Sequence, residues 1–334
     1  MKLRLEIEVR NAGFHITHHD KLFLIGSCFT ENIGNKFTQL KFNNIQNPHG
    51  ILFNPVSVCN AIKEYVHPEE YTANNLFYYN EAWHSWNHHS RFSSPVQQES
   101  LNMINDSNKA AHEYLKQADY LFITFGSSWV YTFTEDALDA VEGQVASNNH
   151  KAPASWFKKK LLTSNETILM IEDMMKAVLS INPDIKFIYT ISPVRHIREG
   201  FIDNNRSKAV LIDAVHNIVN HHPLNAFYFP SYEIVIDDLR DYRFYSEDMV
   251  HPNYLASDYV WEKMVKAYMK EETLQLNKTI EEINIAYKHK PFNPTSNQHI
   301  IFLQNYYLKV KTLQETYPYM DFSKELEYFN HKSK

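Results

Sequence analysis

Three short segments, far apart in the chain, carry side chains suited to acyl transfer chemistry. The first is Gly26-Ser27-Cys28. A serine hydroxyl is a poor nucleophile until a base takes its proton, and an imidazole does this near neutral pH when a carboxylate fixes its tautomer and stabilises the imidazolium. The second segment, Asp248-Met249-Val250-His251, offers that base and that carboxylate three residues apart. The third, Phe125-Gly126-Ser127-Ser128-Trp129, has hydroxyls and N–H groups of the kind that line an oxyanion hole. Each also has a plain reading: Ser27 as a helix N-cap, Asp248 as a helix-start residue beside a surface histidine, and 125–129 as a strand-to-loop turn.

Other side chains compete for attention. Cys28 is a rival nucleophile, because a thiol at a helix N-terminus is more readily ionised, but its place one residue inside the helix directs it into helix–sheet packing. Ser192-Pro193-Val194-Arg195-His196 lies at another strand end. Arg195 and His196 are placed among the substrate-binding residues; the planar fork of Arg195 either grips a substrate carboxylate or phosphate, or braces neighbouring loops. The stretch Trp83-His84-Ser85-Trp86-Asn87-His88-His89 is rich in rings, with His84 and His88 four apart. Without helical periodicity or an acidic third ligand, a zinc site is not expected. His89 is placed among the substrate-binding residues, in a lid or packed hairpin. No metal and no cofactor is expected.

These residues need a frame. Lys21–Ile25 reads as a buried strand running into Ser27 and a helix with apolar positions at Phe29, Ile33, Phe37 and Leu40. Further strands are expected at 42–46, 120–125, 185–191 and 226–229. Helices are expected from Asn54-Pro55, a cap followed by a first-turn proline, and near 99–117, from Ser164 or Asn165 to 180, and 205–220. The alternating amino-terminal residues 1–9 read as a strand. Strands alternating with helices predict a parallel sheet covered on both faces, with its site at the carboxyl ends of the strands. Residues 67–97 and 134–163 read as irregular insertions, 1–270 as the main domain, and 271–334 as a helical carboxyl-terminal extension.

Composition agrees with a globular protein and excludes some alternatives. Of 334 residues, 44% are hydrophobic and 22% charged, so a large core is available and disorder is not expected. A formal net charge of −6 argues against a protein that grips nucleic acid through its phosphates. Two cysteines make no disulfide framework. The absence of a long apolar run points away from a membrane, and an amino terminus without a secretion-signal pattern points to the cytoplasm. Only 7 glycines are present, which makes Gly26, Gly34, Gly50 and Gly126, all near candidate site residues, positions of interest.

Taken in order, these segments resemble the SGNH/GDSL hydrolase superfamily and, more narrowly, the GSCFA-domain family. That family is named for the motif that appears here as Gly26-Ser27-Cys28-Phe29-Thr30, with threonine in place of alanine. The resemblance continues through Asn47-Pro48-His49-Gly50, Phe125–Tyr131, Ser192–His196, Phe229–Glu233 and Arg240–Tyr245 to Asp248 and His251. It implies a three-layer α/β/α fold and a serine hydrolase or acyl transferase, with Ser27 as nucleophile, His251 as base, Asp248 as its carboxylate and Gly50 as an oxyanion donor. The superfamily's third motif carries an asparagine that also donates to the oxyanion, and 125–129 has none; Ser127, Ser128 or Asn54 is expected to stand in. The expected substrate is a carbohydrate or small-molecule ester, deacetylation being the favoured subtype. Transfer to a sugar hydroxyl and a catalytically silent binding module are the alternatives.

Overall fold

The computed structural model describes residues 5–331. In chain order the first elements are β1 (Lys21–Gly26), α1 (Cys28–Gln39), β2 (Asn43–Gln46), α2 (Pro55–Val66), β3 (Phe77–Tyr79), β4 (Ala82–His84) and α3 (Gln97–Leu115). There follow β5 (Tyr120–Phe125), β6 (Trp129–Phe133), β7 (Phe157–Leu161), α4 (Ser164–Ile181), β8 (Lys186–Ile191), α5 (Phe201–His221) and β9 (Ala226–Tyr228). A short α6 (Ser231–Glu233) runs into a π-helical turn, Ile234–Leu239, and α7 (Tyr254–Tyr268), α8 (Glu271–Lys288), α9 (Asn297–Thr316) and α10 (Ser323–His331) complete the chain.

Five strands form one parallel sheet in the order β2-β1-β5-β8-β9. The three central strands are apolar along nearly their whole length because both faces are covered, as parallel sheets require. Alternate residues of β1 serve opposite layers. Leu22 and Leu24 pack with Phe29, Ile33 and Phe37 of α1 and with Val260 and Trp261 of α7. Phe23 and Ile25 pack with Val58 and Ile62 of α2, Leu115 of α3, Ile171 of α4 and Leu211 of α5. The expected three-layer α/β/α architecture is therefore present. The carboxyl-terminal helices do not form a separate core: Ile280 and Ile283 of α8, Leu303 and Val310 of α9, and Phe329 of α10 extend the α1/α7 layer.

Strand order reverses direction between β1 and β5. At such a switch point the two following connections leave on opposite sides and open a crevice at the carboxyl ends of the strands. Gly26 and Gly126 lie at those two ends. Gly26 pairs with Thr124 and has φ +141; a Cβ there would stand 2.1 Å from the Thr124 carbonyl oxygen. Only glycine allows β1 to come this close to β5 and then turn into α1.

Three local expectations are corrected. Residues 5–9 lie outside every strand; the Ile7 N–H instead donates to the buried Asp238 carboxylate and its carbonyl accepts from Lys263, while residues 1–4 fall outside the described residues. The 134–163 excursion is closed by an antiparallel pairing of β6 with β7, from Trp129 opposite Leu161 to Phe133 opposite Phe157. Three consecutive lysines, Lys158 to Lys160, hid that strand; all three are exposed. Finally, α4 is capped by Thr163 in a reciprocal box with Glu166, one residue before the expected cap.

The strand-end contact predicts that Gly26→Ala destabilises the protein by about 2–5 kcal/mol through positive-φ strain and overpacking against Thr124. Urea unfolding measures this, and a shift under about 0.5 kcal/mol contradicts the steric account.

Candidate active site

Ser27 stands at the N-cap of α1 with extended backbone, yet its side chain makes no capping hydrogen bond. The plain N-cap reading thus fails to account for its hydroxyl. Ser27 is fully buried, and Oγ has no hydrogen-bond partner. Cys28 is partly buried and packs against the α1/α7 core; burial pushes its thiol up, the reverse of an activated cysteine.

Asp248 and His251 form a self-contained unit. Asp248 Oδ1 accepts the backbone N–H groups of Val250 and His251 at 2.9 and 3.0 Å, and Oδ2 accepts from His251 Nδ1 at 2.6 Å. The turn closes through Ser246 N–H to the His251 carbonyl, with Met249 in the left-handed region at φ +58. Those donors, first the His251 and Val250 N–H groups and then the imidazole, bring the Asp248 carboxyl down to about 2. With Nδ1–H held by the carboxylate, Nε2 is the nitrogen free to take a proton, which is the tautomer a base needs. Both side chains are about half exposed, 49% for Asp248 and 50% for His251. The Ser27 hydroxyl does not bond to His251 in this state. Catalytic hydrogen bonds in unliganded sites commonly shorten only when substrate binds.

The dyad loop and the loop after β8 are joined by Arg195 N–H to the Val250 carbonyl. The Arg195 guanidinium lies over the rings of Tyr242 and Tyr245, 5.0 and 4.4 Å from their centroids. Of its two readings, the brace is the one the contacts describe.

The oxyanion candidates are largely occupied. Ser27 N–H donates to the Thr124 carbonyl at 3.2 Å and Gly50 N–H to Asn47 at 2.7 Å. Asn54 caps α2, accepting from Ser57 N–H and donating to Ser57 Oγ. Ser127 Oγ accepts from Trp129 N–H and shares a proton with Ser207 Oγ, while Ser128 Oγ donates to the Ser207 carbonyl. Gly50 has φ +81, and a Cβ would lie 2.2 Å from His89 Cβ. His89 therefore packs against the Gly50 loop, its N–H donating to the His49 carbonyl.

Asn54, Ser127 and His196 do meet at one cavity of about 330 Å³, together with Phe53, Trp129, Tyr131, Asn148, Asn149 and Arg198. The ring-rich insertion is a hairpin packed beneath the Gly50 loop. His84 bonds Ser93 and the Tyr79 carbonyl, so it shares no ligand with His88. His49, Glu64 and His88 offer ligand atoms within 4.8 Å of one another. However, His49 and His88 are stacked at 3.9 Å, and the Glu64 oxygens already receive Asn108, Tyr71 and His49. His49 and Glu64 are hydrogen-bonded to each other, while His88 reaches Ser85 through Nδ1 and leaves Nε2 buried without a partner.

Sequence reasoning missed Lys208. Its ammonium is buried and donates to the carbonyls of Gly126 at 2.6 Å and Ser192 at 2.7 Å, tying the ends of β5 and β8 together. Burial brings it down to about 7. The signal was available: Asn204, Ser207, Lys208, Leu211, Ala214 and Val215 form one helical stripe, which puts Lys208 on the inward face of α5.

The fold is thus an α/β protein built on a doubly covered parallel sheet, with an unpartnered serine hydroxyl at its switch point and an Asp–His dyad on the loop before α7. The sequence matches the GSCFA family over residues 21–264 and the C-terminal domain of GSCFA domain proteins over 280–334, and the chain belongs to the GSCFA family. Among solved structures it is similar to a carbohydrate esterase family 3 protein from Talaromyces cellulolyticus, at 9% identity and a TM-score of 0.35, covering 78% of this chain and 98% of that one. No curated protein matches it. Among the described residues, no helix is long and apolar enough to cross a membrane.

Buried histidines give the protein a pH signature. Burial lowers His18 and His150 to about 4 and His196 to about 3. Each stays neutral in the folded state where the unfolded chain, near 6.5, binds a proton. Their contribution is complete above about pH 6.5 and is lost as pH falls toward 4, by up to about 2 kcal/mol each at pH 5. Urea midpoints at pH 7.5 and 5.0 test this: the midpoint falls at pH 5.0, and His150→Gln reduces the fall. Equal midpoints contradict it.

Proposed function

We propose that this protein is a serine hydrolase acting on ester bonds, with Ser27 as nucleophile, His251 as general base and Asp248 as the carboxylate that orients it. The observation that carries this reading is the pairing of an uncommitted serine hydroxyl at the switch point with a preformed Asp248–His251 dyad whose Nε2 remains available. His251 takes the Ser27 proton as Oγ bonds to the ester carbonyl carbon, and the carbonyl π electrons move onto oxygen. Collapse of that oxyanion breaks the carbon–oxygen bond of the ester, and the leaving alcohol takes the proton from His251. Water then repeats the sequence on the acyl-serine and frees the acid.

The cavity that Asn54, Ser127 and His196 line suits a polar, hydroxylated alcohol portion. Trp129 and Tyr131 offer ring surface, while Asn148, Asn149 and Arg198 offer hydrogen bonds. A carbohydrate acetyl ester fits that lining. Replacement of water by a sugar hydroxyl in the second half-reaction gives the transferase variant of the same mechanism.

A binding module that keeps the fold is the competing reading, favoured by the full burial of Ser27 and the occupied Gly50 and Ser27 N–H groups. Turnover of short-chain acyl esters separates the two. Ser27→Ala is expected to lower kcat at least about 10⁴-fold and His251→Ala by a similar factor. Equal turnover by wild type and Ser27→Ala removes Ser27 from the mechanism.

A further inference from the structure

An oxyanion forming on Ser27 needs a hydrogen-bond donor, and the obvious donors around it are engaged. The N–H groups of Ser27 and Gly50 bond to backbone carbonyls, and the hydroxyls of Ser127 and Ser128 are directed to Ser207. Besides Ser27 Oγ itself, two polar atoms close in sequence or space to this strand end are buried without a partner: Thr30 Oγ1, one turn into α1, and Nε2 of His196, the one of the two whose residue lines the cavity. A buried ring nitrogen left unpaired is costly, and when it persists beside a reactive group it points to a partner that arrives later.

Its position is specific. A Cβ on Gly126 would lie 2.9 Å from His196 Nε2. The imidazole therefore fills the space that a side chain at the tip of β5 would occupy. That tip adjoins Ser27, since Thr124 pairs with Gly26 and accepts the Ser27 N–H. The ring also borders the cavity lined by Asn54, Ser127 and Trp129, and its edge is set by Phe53, 5.3 Å away between centroids. Behind it, His196 N–H is held by Asn204 Oδ1 at 2.9 Å, so the residue is mounted on α5 rather than on a free loop.

We propose that His196, through a neutral Nε2–H, donates a hydrogen bond to the oxyanion formed on the Ser27 acyl carbon, in the place of the asparagine amide that the SGNH pattern puts on the β5 loop. This rests on the serine hydrolase reading above. Burial above all, then the neighbouring Lys208 and His251 side chains, bring His196 down to about 3. It is therefore too weak to serve as the base at neutral pH, and it stays an imidazole N–H donor rather than an imidazolium. A neutral donor suits the task, because it strengthens as negative charge develops without a proton to lose beforehand.

The test compares wild type, Ser27→Ala, His196→Ala and His196→Asn on p-nitrophenyl acetate, alongside the rate at which a fluorophosphonate labels Ser27. Circular dichroism and urea unfolding check that each variant is folded. His196→Ala is expected to lower kcat by about 10²–10³-fold with KM changed less than about threefold, and to slow labelling in parallel. The pH–rate profile keeps its acid limb, since His251 still supplies the base. His196→Asn, which restores an N–H donor, recovers part of the loss. If folded His196→Ala keeps kcat within twofold while Ser27→Ala is inactive, the donor role is wrong and the triad stands. A lost acid limb in His196→Ala also overturns it, by making His196 the base. If wild type neither hydrolyses the ester nor labels, or Ser27→Ala matches wild type, the hydrolase reading falls and the donor role with it.

Discussion

The site depends on one close approach, between the end of β1 and the backbone of β5. Gly26 meets the Thr124 carbonyl where no side chain fits, and in the positive-φ conformation it adopts there the chain leaves the sheet at once. Ser27 then falls at the first turn of α1, at the reversal in strand order, with its hydroxyl unused by the helix. A residue with a Cβ at 26 would push β1 away from β5 and move the serine out of the crevice. The same contact consumes the Ser27 N–H, which bonds to Thr124. The geometry that places Ser27 thus commits its N–H, and the proposed mechanism therefore draws its oxyanion donor from another element.

Lys208 holds the other side of the crevice. Its buried ammonium bonds the Gly126 and Ser192 carbonyls, fixing the end of β5 against the end of β8. The loop that begins at Ser192 carries His196 and then meets the dyad loop through Arg195 and Val250. Three strand ends are therefore registered by a few polar contacts within an otherwise apolar core. Burial brings this amine down to about 7.

The sheet was legible in the sequence because its central strands are covered on both faces and read as unbroken apolar runs. The α1 and α2 starts were legible for local reasons, Gly26-Ser27 and Asn54-Pro55. What escaped depended on partners remote in sequence. β7 looked like a charged loop because Lys158, Lys159 and Lys160 are exposed, and only its pairing with β6 makes it a strand. The alternation at the amino terminus is real in its burial at Ile7 and Val9, but the backbone there is held by Asp238 and Lys263 instead of a neighbouring strand. In the site, Asp248 and His251 could be paired from spacing alone, since their interaction is local. The commitments of Ser127 and Ser128 could not, because Ser207 lies some eighty residues away from them.

The central claim is that the buried Ser27 hydroxyl and the half-exposed His251 imidazole come together when an acyl group is present. A crystal structure of the protein after reaction with a fluorophosphonate tests this directly. The account predicts phosphorus bonded to Ser27 Oγ, with His251 Nε2 turned to within about 3 Å of that oxygen. Phosphorus on another side chain, or on Ser27 with His251 still facing solvent, would contradict it.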